Sequence, residues 1–145
     1  DEMMFGDADP DTAPRIDIKI QQWGMPENIY IAFECKRLDE EDIRLQKLYI
    51  DQGMLRFITG KYSSDISAGG MIAFVINGEI ITLVNTINFQ VAQENTLGQN
   101  HCLYAITSDP KMNGLLFMSN HPRMSNYPSI EISHLFCTFD YNDSN

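Results

Sequence analysis

Apolar and polar residues alternate strictly in RIDIKI, residues 15–20. Ile16, Ile18 and Ile20 take one face, and Arg15, Asp17 and Lys19 the other, the pattern of a half-buried strand. WGMPEN, residues 23–28, has turn chemistry, and Trp23 is expected to pack beside this strand. IYIAFECK, residues 29–36, predicts a second strand. Ile29, Ile31, Phe33 and Cys35 form its apolar face, and Tyr30, Ala32, Glu34 and Lys36 share the opposite one.

A helix is predicted next. Asp39 can cap it, and Glu40, Glu41 and Asp42 suit its first turn. Ile43, Ile50, Met54, Phe57 and Ile58 recur at helical spacing, Leu45, Leu48, Tyr49 and Leu55 widen the stripe, and Gly60 is a stop. After the polar loop KYSSDISAGG, where Gly69-Gly70 permits a tight turn, MIAFVI (71–76) reads as a strand covered on both faces. Asn77-Gly78 suits a hairpin turn or a helix start. The one-sided run Ile80, Leu83, Val84, Ile87 and Val91 favours the helix. CLYAIT, GLLFMS and HLFCTF supply later strands, and the order implies an α/β sheet with helices packed on it.

The 145 residues suit one domain over 15–139, between an acidic loop (1–14) and a short tail (140–145). A 43% hydrophobic content is enough for a core, and no apolar run approaches a membrane span. The chain opens on Asp1 without a signal peptide, which leaves room for residues before it. Cys35, Cys102 and Cys137 lie in apolar runs without metal-ligand spacing, so free, buried thiols in a reducing, cytoplasmic setting are expected. His101 has no identifiable partner, and His134 reads as a half-buried core histidine.

The net charge is −10, which taken alone opposes a nucleic-acid binder. Its distribution changes that. Residues 1–14 hold five acids and no base, residues 15–61 eight of each, and residues 62–145 seven acids and two bases. Any polyanion contact should involve the middle.

That middle carries the candidate chemistry. Strand parity sends Glu34 and Lys36 to one face, and Asp17 stands on the polar face of the preceding strand. If the two strands pair, the three converge. Two carboxylates beside an ammonium suit Mg²⁺, with Mn²⁺ as the alternative, and the Cys35 carbonyl adds a further hard oxygen. Lys36 would hold an attacking water, giving metal-assisted phosphodiester hydrolysis. Arg37, Arg44 and Lys47 follow the motif closely and are candidates for backbone contact, with Arg56, Lys61, His121 and Arg123 as further phosphate contacts.

An aspartate on one strand, Glu-x-Lys on the next and then a helix resembles the PD-(D/E)xK nuclease superfamily. FECKRLDEEDIRLQKLYIDQGMLRFITGKYS followed by GGMIAFVINGEI is especially similar to a bacterial type found among restriction and phage-defence proteins. The likeness spans about residues 15–91, with weaker similarity in SNHPR and SHLFCTF. It implies a restriction-endonuclease-like mixed β-sheet flanked by helices. It also implies a Mg²⁺-dependent endonuclease acting on nucleic acid, most naturally DNA, as a homodimer or with a partner subunit. Asp17 and Glu34 would be metal ligands and Lys36 the catalytic lysine. Ile16 stands where the family has a proline, and Glu2 is the only early candidate for the further glutamate that many members donate. Asp17-Ile18-Lys19 and Asp109-Pro110-Lys111 also match the tripeptide, but only Glu34 has a strand, a partner acid and a following helix together. The contrasting expectation is an inactive relative that serves in binding or assembly.

Overall fold

Short strands and one interrupted helix set where the site lies. The computed structural model describes residues 16–94, 97–106, 108–123 and 126–139. The acidic loop, with Glu2, and the tail fall outside the described residues. The elements are β1 (Ile18–Ile20), β2 (Ile31–Asp39), α1 (Ile43–Tyr49), a π-helical stretch (Ile50–Met54), α2 (Leu55–Ile58), β3 (Ala68–Asn77), α3 (Ile80–Gln93), β4 (Tyr104–Ala105), β5 (Leu116–His121) and β6 (Ile130–Thr138). They form a mixed α/β fold on a six-stranded sheet ordered β1-β2-β3-β6-β5-β4. β2, β3 and β6 run parallel, whereas β1 and β5 pair antiparallel with β2 and β6. Among the described residues, no helix is long and apolar enough to cross a membrane.

The interior lies on one side of this sheet. Ala32 and Leu38 from β2, Met71, Ala73 and Val75 from β3, and Ile132 and Phe136 from β6 cluster there. They meet Tyr49, Ile50, Met54 and Phe57 from the first helical run and Leu83, Val84, Ile87 and Val91 from α3. The α3 face is the one its apolar spacing predicts, and helix rather than hairpin follows Asn77-Gly78.

Strand parity in β2 is as predicted, but the inward face is the opposite one. Ala32, Glu34 and Leu38 are buried, whereas Phe33 and Cys35 are half-buried and Ile31 is exposed. The reason is that the helices cover the even-numbered face alone. β3 likewise buries Met71, Ala73 and Val75, leaves Ile72 and Phe74 half-buried, and leaves Ile76 57% exposed, so the described residues do not cover both its faces. The three cysteines are free but half-buried. Trp23 does not pack beside β1; it is 99% exposed in its turn.

The first helical run starts later than predicted because β2 continues through Asp39. Asp42 is the cap, its carboxylate accepting from the Arg44 N–H, while Asp39 accepts from the Glu41 N–H and the Gln46 side chain holds the Asp39 carbonyl. The π-helical stretch changes the helical phase, so Tyr49, Ile50, Gly53, Met54 and Phe57 turn inward while Ile43 and Leu48 stay exposed. Gly53 permits this approach: a Cβ there would lie 2.4 Å from Met71 Cε. Gly60 ends the run with φ +80°, where a side chain would be strained.

Candidate active site

The β1–β2 register pairs Ile18 with Phe33, and one further step sets Asp17 opposite Glu34. Asp17 stands just before β1, not within it. Its Oδ2 accepts the Cys35 N–H at 2.7 Å, which fixes the carboxylate against β2. That N–H points to the β1 side of β2, and the Cys35 carbonyl, on the same residue of a strand, faces the same way. Asp17 raises the Glu34 pKa by charge repulsion.

Glu34 is almost wholly buried at the rim of the core. Lys36 Nζ donates to Glu34 Oε1, and Arg56 Nη1 from α2 donates to the same oxygen at 3.0 Å. Arg56 Nη1 also reaches the Tyr62 hydroxyl at 3.1 Å. Burial pushes the Glu34 carboxyl up from its ordinary range, against the downward pull of Lys36 and, more weakly, Arg56. Its second oxygen, Oε2, is buried without a hydrogen-bond partner among the described residues. An orphaned carboxylate oxygen in such a place is costly and calls for a ligand or water.

This donor set fits Mg²⁺. The ion commonly takes one or two protein carboxylates and fills its remaining positions with water and phosphate oxygens. Asp17, the free Glu34 oxygen and the Cys35 carbonyl are hard oxygens of the right kind. Among the described residues no group of three or more His, Cys, Asp or Glu could hold a metal, so substrate and water would have to complete the shell.

The expected phosphate contacts divide. Arg44 is exposed and engages Asp42, and Lys47 and Lys61 are exposed. Arg37 is exposed but projects, by strand parity, from the sheet face opposite Glu34. Arg56 is committed to the Glu34 carboxylate. His121 and Arg123 are committed inside the protein, which removes both from the substrate-contacting set. Sequence reasoning passed over Lys19, which shares the Asp17 face of β1 and lies 4.6 Å from the centre of the Tyr30 ring. It also missed Tyr62, whose partner Arg56 could be inferred only once the chain was folded.

Arg123 has all five guanidinium N–H donors on main-chain carbonyls. Nε reaches Pro128, Nη1 reaches Phe57 and Ser63, and Nη2 reaches Ser64 and Ile66, at 2.6–3.3 Å. It ties the loop between α2 and β3, including Ser63 at φ +54°, to the segment before β6. Arg123→Ala is expected to destabilise the fold by about 3 kcal/mol in chemical denaturation. Arg123→Lys should restore little, because an ammonium cannot reproduce the planar fork. Full stability in the lysine variant would contradict this role.

His121 belongs to a second polar system, in the core. Tyr49 Oη meets His134 Nδ1 at 2.7 Å, and His134 Nε2 meets Ser119 Oγ at 2.7 Å. Ser119 Oγ meets His121 Nε2 at 2.7 Å, and His121 Nδ1 meets His101 Nδ1 at 2.6 Å. Tyr49 is fully buried, so its hydroxyl must donate to His134, its partner among the described residues. His134 then carries its proton on Nε2 and donates to Ser119. Ser119 donates to His121, and His121 donates to His101. This one direction satisfies every bond with neutral rings. Burial pushes both His121 and His134 down to about 3, helped in each case by the neighbouring histidine.

No family model, curated protein or solved structure matches the chain.

Proposed function

We propose that this chain is a Mg²⁺-dependent nuclease of the PD-(D/E)xK type, hydrolysing phosphodiester bonds of nucleic acid, with DNA as the favoured substrate and restriction or phage defence as its setting. The observation that carries the reading is the buried Glu34 Oε2, without a hydrogen-bond partner among the described residues, with Asp17 directed to the same stretch of β2 and Lys36 on the other Glu34 oxygen. Asp17 and Glu34 would hold the ion, with the Cys35 carbonyl beside them. A bound Mg²⁺ supplies positive charge that polarises the scissile phosphate and lowers the pKa of a bound water. Lys36 and, more weakly, Arg56 favour the ionised Glu34 carboxylate, and Arg56 would aim it. Lys36 would orient the attacking water and stabilise its deprotonated form. Lys19, Lys47 and Lys61 are exposed cations that would meet phosphate.

Plasmid cleavage with Mg²⁺ tests the reading. Asp17→Asn is expected to lower cleavage by about a hundredfold or more, because it removes half of the metal-binding charge. It should leave the melting temperature near that of the parent, since Asp17 is exposed. Equal cleavage by parent and variant, or no cleavage of DNA or RNA by the parent with Mg²⁺ or Mn²⁺, would contradict it.

A further inference from the structure

The sheet has a second face, and none of the described α-helices packs on it. By register, Phe33 and Cys35 of β2 lie beside Gly70, Ile72 and Phe74 of β3, then Ser133, Leu135 and Cys137 of β6, then Leu116 and Met118 of β5. Ile18 and Ile20 extend the face across β1. Ile20, Ile76 and Phe139 are 56–58% exposed, and Phe139 stacks on Phe74. An apolar sheet face of this extent in contact with water is unusual for a stable monomer.

Four observations bear on what covers it. First, its neutral polar side chains are already paired within the chain: Ser133 Oγ with Met118 Sδ, and Asn120 Nδ2 with the Tyr104 hydroxyl. Burying them therefore costs less than burying unpaired groups. Second, the extent approaches that of a stable interface. Strands of up to ten residues at about 3.3 Å each, spaced about 4.8 Å apart, give on the order of 600 Å². A stable interface buries about 800 Å² per partner. Third, residues 1–15 and 140–145 hold only Met3, Met4, Phe5 and Tyr141 as large apolar side chains, too few for a six-stranded face. Fourth, the face is bounded by opposite charges at opposite ends. Arg37 lies near the end of β2 and Glu131 near the start of β6, and both are exposed. A two-fold axis that sets one copy's Arg37 on the other copy's Glu131 makes the same pair twice, as a self-complementary interface requires.

We propose that this second sheet face is the interface between two copies of the chain, packed face to face around Ile72, Phe74, Leu135 and Phe139, with Arg37 and Glu131 paired across it. The Asp17–Glu34 site lies on the other face and stays open in such a pair. The proposal does not depend on the nuclease reading, and its test needs no activity.

Sedimentation or light scattering of the full chain over about 1–100 µM reads the outcome. The parent is expected at twice its 16.6 kDa. Ile76→Lys and Phe139→Lys change side chains already exposed in one chain, so they should keep the parent's far-ultraviolet spectrum. Each should raise the dimer dissociation constant at least a hundredfold. Arg37→Glu and Glu131→Arg should each weaken the dimer about tenfold, and the double exchange should recover it. A parent that stays monomeric at about 100 µM overturns the proposal, whether residues 1–15 or a different protein then cover the face. A dimer untouched by both lysine variants overturns it as well.

Discussion

Lys36→Ala is expected to lower Mg²⁺-dependent DNA cleavage by at least about a thousandfold while the protein remains folded. Two losses combine. The proposed water-orienting cation disappears, and Glu34 loses the strongest of the influences that hold its carboxyl down. Burial already pushes that carboxyl up, Asp17 pushes the same way, and Arg56 is the weaker counterweight. Without Lys36, Glu34 therefore holds its proton to higher pH and becomes a poorer metal ligand near neutrality. The carboxyl carbon resonance of Glu34, followed by NMR against pH, separates this from a merely structural effect. Its titration should move upward in Lys36→Ala and stay close to the parent in Lys36→Arg. Undiminished cleavage, or a Glu34 titration that does not move, would remove Lys36 from its proposed role.

The second large effect is acid instability from the core. Unfolded histidines titrate near 6.5, whereas His121 and His134 are held down to about 3 in the fold. Below about pH 6.5 the unfolded chain binds more protons than the folded one, so stability falls as pH falls and continues to fall to about pH 3. At pH 5 each ring contributes a loss of roughly 2 kcal/mol, about 4 kcal/mol for the pair. Calorimetry should show the melting temperature dropping by roughly 10 °C between pH 7.5 and pH 5. Glu34 cannot be the source, because a raised carboxyl pKa has the opposite sign: the fold binds its proton more readily than the unfolded chain does. Asp42, held below its ordinary range by Arg44, loses its contribution only at still lower pH. A melting temperature flat from pH 7.5 to pH 5 would mean that the rings are not held neutral by the fold.

What could be read in the sequence is the local geometry. Period-two spacing placed Glu34 and Lys36 together, and helical spacing placed Leu83, Val84, Ile87 and Val91 on one inward face. Which face of β2 turns inward was not legible. Phe33 and Cys35 are more apolar than Glu34 and Lys36, yet the helices lie over the latter. The continuous apolar run in β3 pointed to two covered faces, and the described residues cover only one. The helix start was ambiguous for a local reason: Asp39 and Asp42 can both cap, and the longer β2 decides between them. The π-helical stretch sets Gly53 close to Met71, a contact across 18 residues. The core hydrogen-bond chain draws on Tyr49, His101, Ser119, His121 and His134, which no spacing rule connects. Arg123 and His121 looked like phosphate ligands because their type was visible and their burial was not.

The position of Asp17 has a consequence for motion. Glu34, Lys36 and Arg56 rest on a long strand and a helix packed into the core. Asp17 stands before a three-residue edge strand with every residue exposed, and its carboxylate is fixed by the Cys35 N–H. Such an edge opens at a small fraction of the global unfolding free energy. The site is therefore assembled from a rigid half and a half that docks and releases while the core stays intact. Amide exchange along β1 reports the state of the site rather than the stability of the fold, and a cation shared by Asp17 and Glu34 would act as the clasp between the two halves.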